Sequence, residues 1–115
     1  MRILVCGGRD YQNREHVCEV LDRAKFLYSS LVIIEGGASG ADSFAREWAK
    51  LTGCGSVTVH ADWKRHGKAA GPIRNQYMID HSRPDLVIAF PGGRGTEDMI
   101  NRATKAGLNV QREVF

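Results

Sequence analysis

Apolar residues gather into five short runs at 2–6, 31–35, 56–60, 85–90 and 109–114. The runs are largely continuous rather than alternating, as parallel strands buried on both faces require. Between them the spacing changes to three and four residues. Val17, Val20, Leu21, Ala24, Leu27 and Tyr28 keep that step across 12–28. Phe44, Ala45, Trp48 and Ala49 keep it across 40–51, and Trp48 at that spacing is packing. Pro72 is placed to open a third helix, where its missing N–H costs nothing. This helix carries Ile73, Tyr77 and Ile79 to a break at Ser82-Arg83-Pro84. A fourth helix spans about 96–106 and stops at Gly107, a residue suited to a left-handed cap. Strand and helix alternate throughout, which predicts an α/β fold. It is a Rossmann-like, five-stranded, mainly parallel sheet with helices on both faces. Residues 1–115 read as one domain. The segment 61–71 has no period and is longer than usual connections, so it reads as a functional loop.

Three of the predicted strands run into glycine. Gly7-Gly8-Arg9-Asp10-Tyr11 follows the first, and Gly36-Gly37-Ala38-Ser39-Gly40-Ala41-Asp42 the second. Pro91-Gly92-Gly93-Arg94-Gly95-Thr96 follows the fourth. Ligands of open parallel sheets sit beyond the carboxyl ends of the strands. There, helix N-termini present free N–H groups and a favourable dipole to an anion. One glycine turn is common; three on one edge point to a seat for phosphate. No loop has the Gly-Lys-Ser/Thr of a Walker motif or the GxGxxG dinucleotide spacing. Two readings stay open for several of these residues. Thr96 is either an N-cap or a phosphate ligand. Ser39 and Asp42 have the spacing of a capping box, or contact phosphate and a sugar hydroxyl. Glu97 and Asp98 suit a first helical turn, or bind ribose and serve as acid or base. Arg9 is an anion candidate, while Asp10 either joins it or begins the first helix.

The charge balance is mild: 16 Lys and Arg against 13 Asp and Glu, net +3. Its distribution is more telling, because Lys64, Arg65, Lys68 and Arg74 follow Trp63 with no acid between them. Trp63 either stacks on a base, with Lys64, Arg65 and Lys68 on phosphates, or belongs to a solvated surface loop and folds back onto the core. Arg74 and Asn75 lie early in the third helix, aimed at the glycine rim. A cation there opposes the dipole unless an anion is bound. The three cysteines, Cys6, Cys18 and Cys54, have neither framework nor zinc spacing, so no metal is expected and a reducing compartment fits. The apolar N-terminus is too short to span a membrane or serve as a signal peptide.

The four motifs Gly7-Gly8-Arg9-Asp10-Tyr11, Gly36 to Asp42, Gly71-Pro72-Ile73-Arg74-Asn75 and Pro91 to Thr96 occur in order over nearly the whole chain. Together they resemble the YspA-type branch of the SLOG superfamily, found in bacteria and bacteriophages. That superfamily includes the LOG phosphoribohydrolases and the DprA/Smf DNA-processing proteins. The resemblance implies a ligand over the Pro-Gly-Gly-x-Gly-Thr loop, no cofactor, a dimer, and a cytoplasmic place in a bacterial or phage-infected cell. In LOG enzymes the loop continues to a catalytic Glu paired with an earlier Arg. Arg74 is similar to that arginine, but the Glu position is Met99. Glu97 is turned about 200° from it and Asp98 about 100°.

The functions consistent with these features are three. The first is binding of a phosphate-bearing nucleotide or nucleotide-derived molecule by a sensor or sequestering module. The second is N-glycosidic hydrolysis, drawing on Arg74 with Glu35, Asp42, Glu97 or Asp98. The third is a DprA-like grip on single-stranded nucleic acid.

Overall fold

The computed structural model describes residues 1–115. Five strands form one parallel sheet in the order β3-β2-β1-β4-β5. They are β1 (Arg2–Cys6), β2 (Val32–Glu35), β3 (Gly55–Thr58), β4 (Leu86–Ala89) and β5 (Asn109–Arg112). Every pairing is parallel, with Ile3 beside Ile33 on one side and Leu86 on the other. The helices are α1 (Arg14–Tyr28), α2 (Ala41–Thr52), α3 (Trp63–His66), α4 (Ala70–His81) and α5 (Arg94–Lys105). β1 is central, so the chain winds outward to β3 and then crosses to β4. The point of reversal lies between β1 and β4, and the loops after these strands flank it.

Two apolar layers hold the sheet. Val17, Val20, Leu21 and Ala24 of α1, with Ala45, Trp48 and Ala49 of α2, cover Ile3, Val5, Ile33 and Ile88. Met78 of α4, with Met99, Ile100 and Ala103 of α5, covers Leu4, Cys6, Ile34, Val87 and Ala89. The alternation of Ile3 and Leu4 between layers is the two-residue period of a strand buried on both faces. Trp48 is packing, as its spacing implies, and its indole N–H donates to Asp22 at 2.8 Å, tying α2 to α1.

Differences from the sequence expectation concentrate at element ends. Asn13, rather than Asp10, caps α1 by accepting the His16 amide, so the helix begins at Arg14, two residues beyond the expected start. Residues 61–71 are not an irregular loop. Asp62 caps the short α3, a 3-10 turn over Gly67–Ala69 follows, and α4 begins at Ala70. Pro72 therefore sits within the first turn of α4 rather than opening it, still where an N–H has no helical acceptor. Helix α5 begins at Arg94, two residues before the expected start, so Thr96 is not its N-cap; Gly93 is. Likewise Gly40, with no side chain to cap, precedes α2 in place of the Ser39 capping box. Gly107 does adopt the left-handed conformation, φ 80°.

Candidate functional site

The three glycine loops meet. Gly8 N–H donates to the Pro91 carbonyl at 2.9 Å, and the Gly8 carbonyl accepts the Ala41 amide at 3.4 Å. Ser39 Oγ donates to the Arg9 carbonyl at 2.9 Å. Together with the start of α4 they enclose a cleft of about 590 Å³ beyond the carboxyl ends of β1, β2 and β4. That volume lies in the usual range for small-molecule sites. Gly7, Gly8, Arg9, Asp10, Gly36, Asp42, Arg74, Asn75, Pro91, Gly92, Gly93, Arg94, Gly95 and Thr96 all line it. Gly37, Ser39, Gly40, Trp63, Lys68, Glu97 and Asp98 are not on its wall.

Two kinds of glycine build the wall. At Gly92 a Cβ would lie 2.1 Å from Thr96 Oγ1 and 2.6 Å from the Gly8 nitrogen. At Gly40, whose φ is 72°, it would lie 2.2 Å from the Gly8 carbonyl oxygen. These glycines let the loops touch one another. Gly93 and Gly95 are different, because a Cβ at either meets nothing within 4 Å. The amides of Gly92, Gly93, Arg94, Gly95 and Thr96 donate to no other group of the protein. Five successive N–H groups thus stand free at the head of α5, at the positive end of its dipole. Arg9 and Arg94 flank them, exposed and in no ion pair.

The wall opposite is Arg74 and Asp42. Arg74 Nη1 donates to the Gly36 carbonyl at 2.6 Å, and its Nε donates to Asn75 Oδ1 at 3.0 Å. Burial lowers the guanidinium's pKa, partly countered by Asp42 and Glu35. Asp42 Oδ2 accepts the amides of Gly36 at 3.1 Å and Ala38 at 3.3 Å. Burial pushes this carboxyl up from 3.8 to about 6; Glu35 adds to the rise and those two amides oppose it.

The other acids are committed elsewhere. Glu35 is fully buried and accepts from Arg46, from the Gly37 amide and from Thr58 Oγ1. Glu97 pairs with Arg112 at 2.6 Å. Asp98 accepts from Asn75 at 3.0 Å and Arg102 at 2.8 Å. Met99, 1% exposed, forms part of the cleft floor with Met78. Sequence reasoning did not single out Tyr11, Ala38 or Cys6 for the wall. Tyr11 is held by its ring against Phe90, 5.5 Å away, and its loop position was the available signal. Cys6 ends β1 and so reaches the cleft; burial raises its thiol to about 12, which keeps it protonated and unreactive.

The first 66 residues, which carry two of the three glycine loops, match the model of the YspA, cpYpsA-related SLOG family. The chain belongs to this family. A relative from Mycobacterium phage D29, the Gene 61 protein, is 41% identical, covering 95% of this chain and 93% of that one. Among solved structures, the structural-genomics target TM1055 superposes with a TM-score of 0.70 at 16% identity. The match covers 95% of this chain and 71% of TM1055. At that identity the likeness shows a shared fold. No helix is long and apolar enough to cross a membrane.

Proposed function

We propose that the cleft seats a phosphate-bearing nucleotide or nucleotide-derived ligand, and that the protein acts as a sensor or sequestering module, as a homodimer. The supporting observation is the run of five unpartnered amides at the head of α5, flanked by Arg9 and Arg94. Oriented amides of this kind suit an anion better than any neutral group. The buried Asp42 on the opposite wall suits a ribose hydroxyl.

N-glycosidic cleavage is the second reading. It asks for a carboxylate beside the ribose and a second group for the water or leaving base. Asp42 is the one buried acid on the wall, and Met99 supplies no partner. This disposition favours binding over hydrolysis.

The test is a thermal-shift panel of mononucleotides and dinucleotides, with chromatography of the recovered ligand. A ligand at a hundredfold excess over Kd stabilises by about 2.7 kcal/mol, on the order of 10 °C for a domain of this size. Gly93→Asp places a carboxylate in the open cleft and should abolish the shift without disturbing the fold. Arg74→Ala should abolish it too, but with a lower melting temperature of its own, because the guanidinium holds the Gly36 carbonyl. A panel that shifts nothing, or a shift that survives Gly93→Asp, rejects the reading. Recovery of free base would establish the hydrolase.

A further inference from the structure

A second cavity, of about 610 Å³, runs between strand β3 and helix α4. Residues 57–60 form one side. Ala70, Ile73, Tyr77 and His81 form the other, a stripe at three- and four-residue steps. Arg74 is the one residue it shares with the glycine cleft. Ile73 and Tyr77 are 45% and 52% exposed, and the Tyr77 ring lies 4.5 Å from that of His81. The cavity is a trough with a strand on one bank and a helix on the other.

The strand bank is an open edge. β3 is outermost, and its one neighbour is β2. The amides of Gly55 and Val59 donate inward to the Leu31 and Glu35 carbonyls. By alternation those of Ser56 and Thr58 point outward, where no strand meets them. The edge carries neither lysine nor proline, the residues that commonly blunt such edges.

Charge selects the occupant. Residues 60–83 contain five Lys and Arg against Asp62 and Asp80, a surplus equal to the net +3 of the whole chain. Asp62 is occupied in capping α3, and Asp80 accepts the Gln76 side chain. Of the five cations Arg74 lines the trough itself, together with Arg2, His60, His66, His81 and Asp62, while Arg65 and Arg83 adjoin the wall residues His66 and Ser82 in the chain. Two copies joined edge to edge would bring these like charges together, which disfavours self-pairing. We propose that the β3 edge and the α4 trough form a docking site for an acidic peptide in extended conformation. Its backbone pairs with Ser56 and Thr58 as a sixth strand. One apolar side chain enters the trough against Val57, Ile73 and Tyr77, and its carboxylates face the basic rim. Strand addition beside a helix is an established mode of peptide capture. The proposal does not rest on the ligand of the glycine cleft, with which the trough shares Arg74 alone.

The test is selection of a displayed random-heptapeptide library on the full chain, followed by titration of the selected peptides. Ser56→Pro removes one outward amide and no inward ladder bond, so the fold should be retained. Selected peptides should alternate apolar residues with Asp or Glu, and should bind Ser56→Pro and Tyr77→Ser at least tenfold more weakly. On the unmodified chain, bound peptide should slow amide exchange at Ser56 and Thr58 at least tenfold, which does not depend on any variant folding. The proposal falls if no peptide is enriched, if basic peptides win, or if exchange at these amides is unchanged. It also falls if Ser56→Pro abolishes self-association in sedimentation, which assigns the edge to a second copy. Binding of a thymidine oligonucleotide there in place of any peptide overturns it as well.

Discussion

Asp42 is the residue whose environment has the clearest energetic consequence. Its folded pKa of about 6 exceeds the unfolded value of 3.8. The folded state therefore keeps a proton, between about pH 4 and pH 6, that the unfolded chain has released. Stability from this group is complete below pH 4 and is lost as pH rises through 6, amounting to about 3 kcal/mol by linkage. Asp42→Asn keeps an oxygen for the Gly36 and Ala38 amides and carries no charge. It should melt higher than the natural protein at pH 8 and converge with it near pH 4, as read by denaturation across that range. A wall residue that costs stability at neutral pH fits a group retained for a ligand. Glycines give a second contrast. Gly92→Ala drives a methyl into Thr96 and the Gly8 backbone, and should cost about 1–3 kcal/mol. Gly95→Ala meets open space in a helical turn and should stabilise by up to about 1 kcal/mol. Its methyl should nevertheless weaken any ligand shift, separating folding glycines from binding ones in two denaturation curves.

At the scale of elements, the join between α1 and α2 rests partly on the Trp48–Asp22 hydrogen bond. Trp48→Phe keeps most of the ring and removes the donor, so it should cost about 1–2 kcal/mol in urea denaturation. The two tryptophans should also separate by quenching: Trp63 is 53% exposed and accessible to iodide, Trp48 is 4% exposed and shielded. Trp63 was the harder of the two to place from sequence. Its indole Cη2 lies 3.5 Å from where a Cβ would stand on Gly71, so it rests against the start of α4, off the cleft wall. A four-residue helix gives no usable period, which is why 61–71 read as a loop. The strands and long helices were legible because their apolar spacing extends over several turns or a whole strand. Element ends were not, since a cap depends on one side chain's rotamer. Ser39, for example, turns to the Arg9 carbonyl instead of closing a capping box.

For the molecule as a whole, the sheet and its two layers followed from sequence because continuous apolar runs and intervening helices admit few arrangements. The cleft was legible at the level of loops. What the spacing could not show was which glycines face each other and which face space, or that Glu97 and Asp98 turn to Arg112 and Arg102. The glycine approaches depend on distances between segments far apart in the chain, whereas the Asp98–Arg102 pair is an i,i+4 contact within α5 whose alternative partners spacing alone does not exclude. The bonds from Gly8 to Pro91, from Ala41 to Gly8 and from Ser39 to Arg9 lock the three loops to one another with the protein alone. A molecule entering between them would find rigid walls already standing. Capture should then proceed in a single kinetic phase whose rate climbs linearly with concentration, with no slow rearrangement to follow.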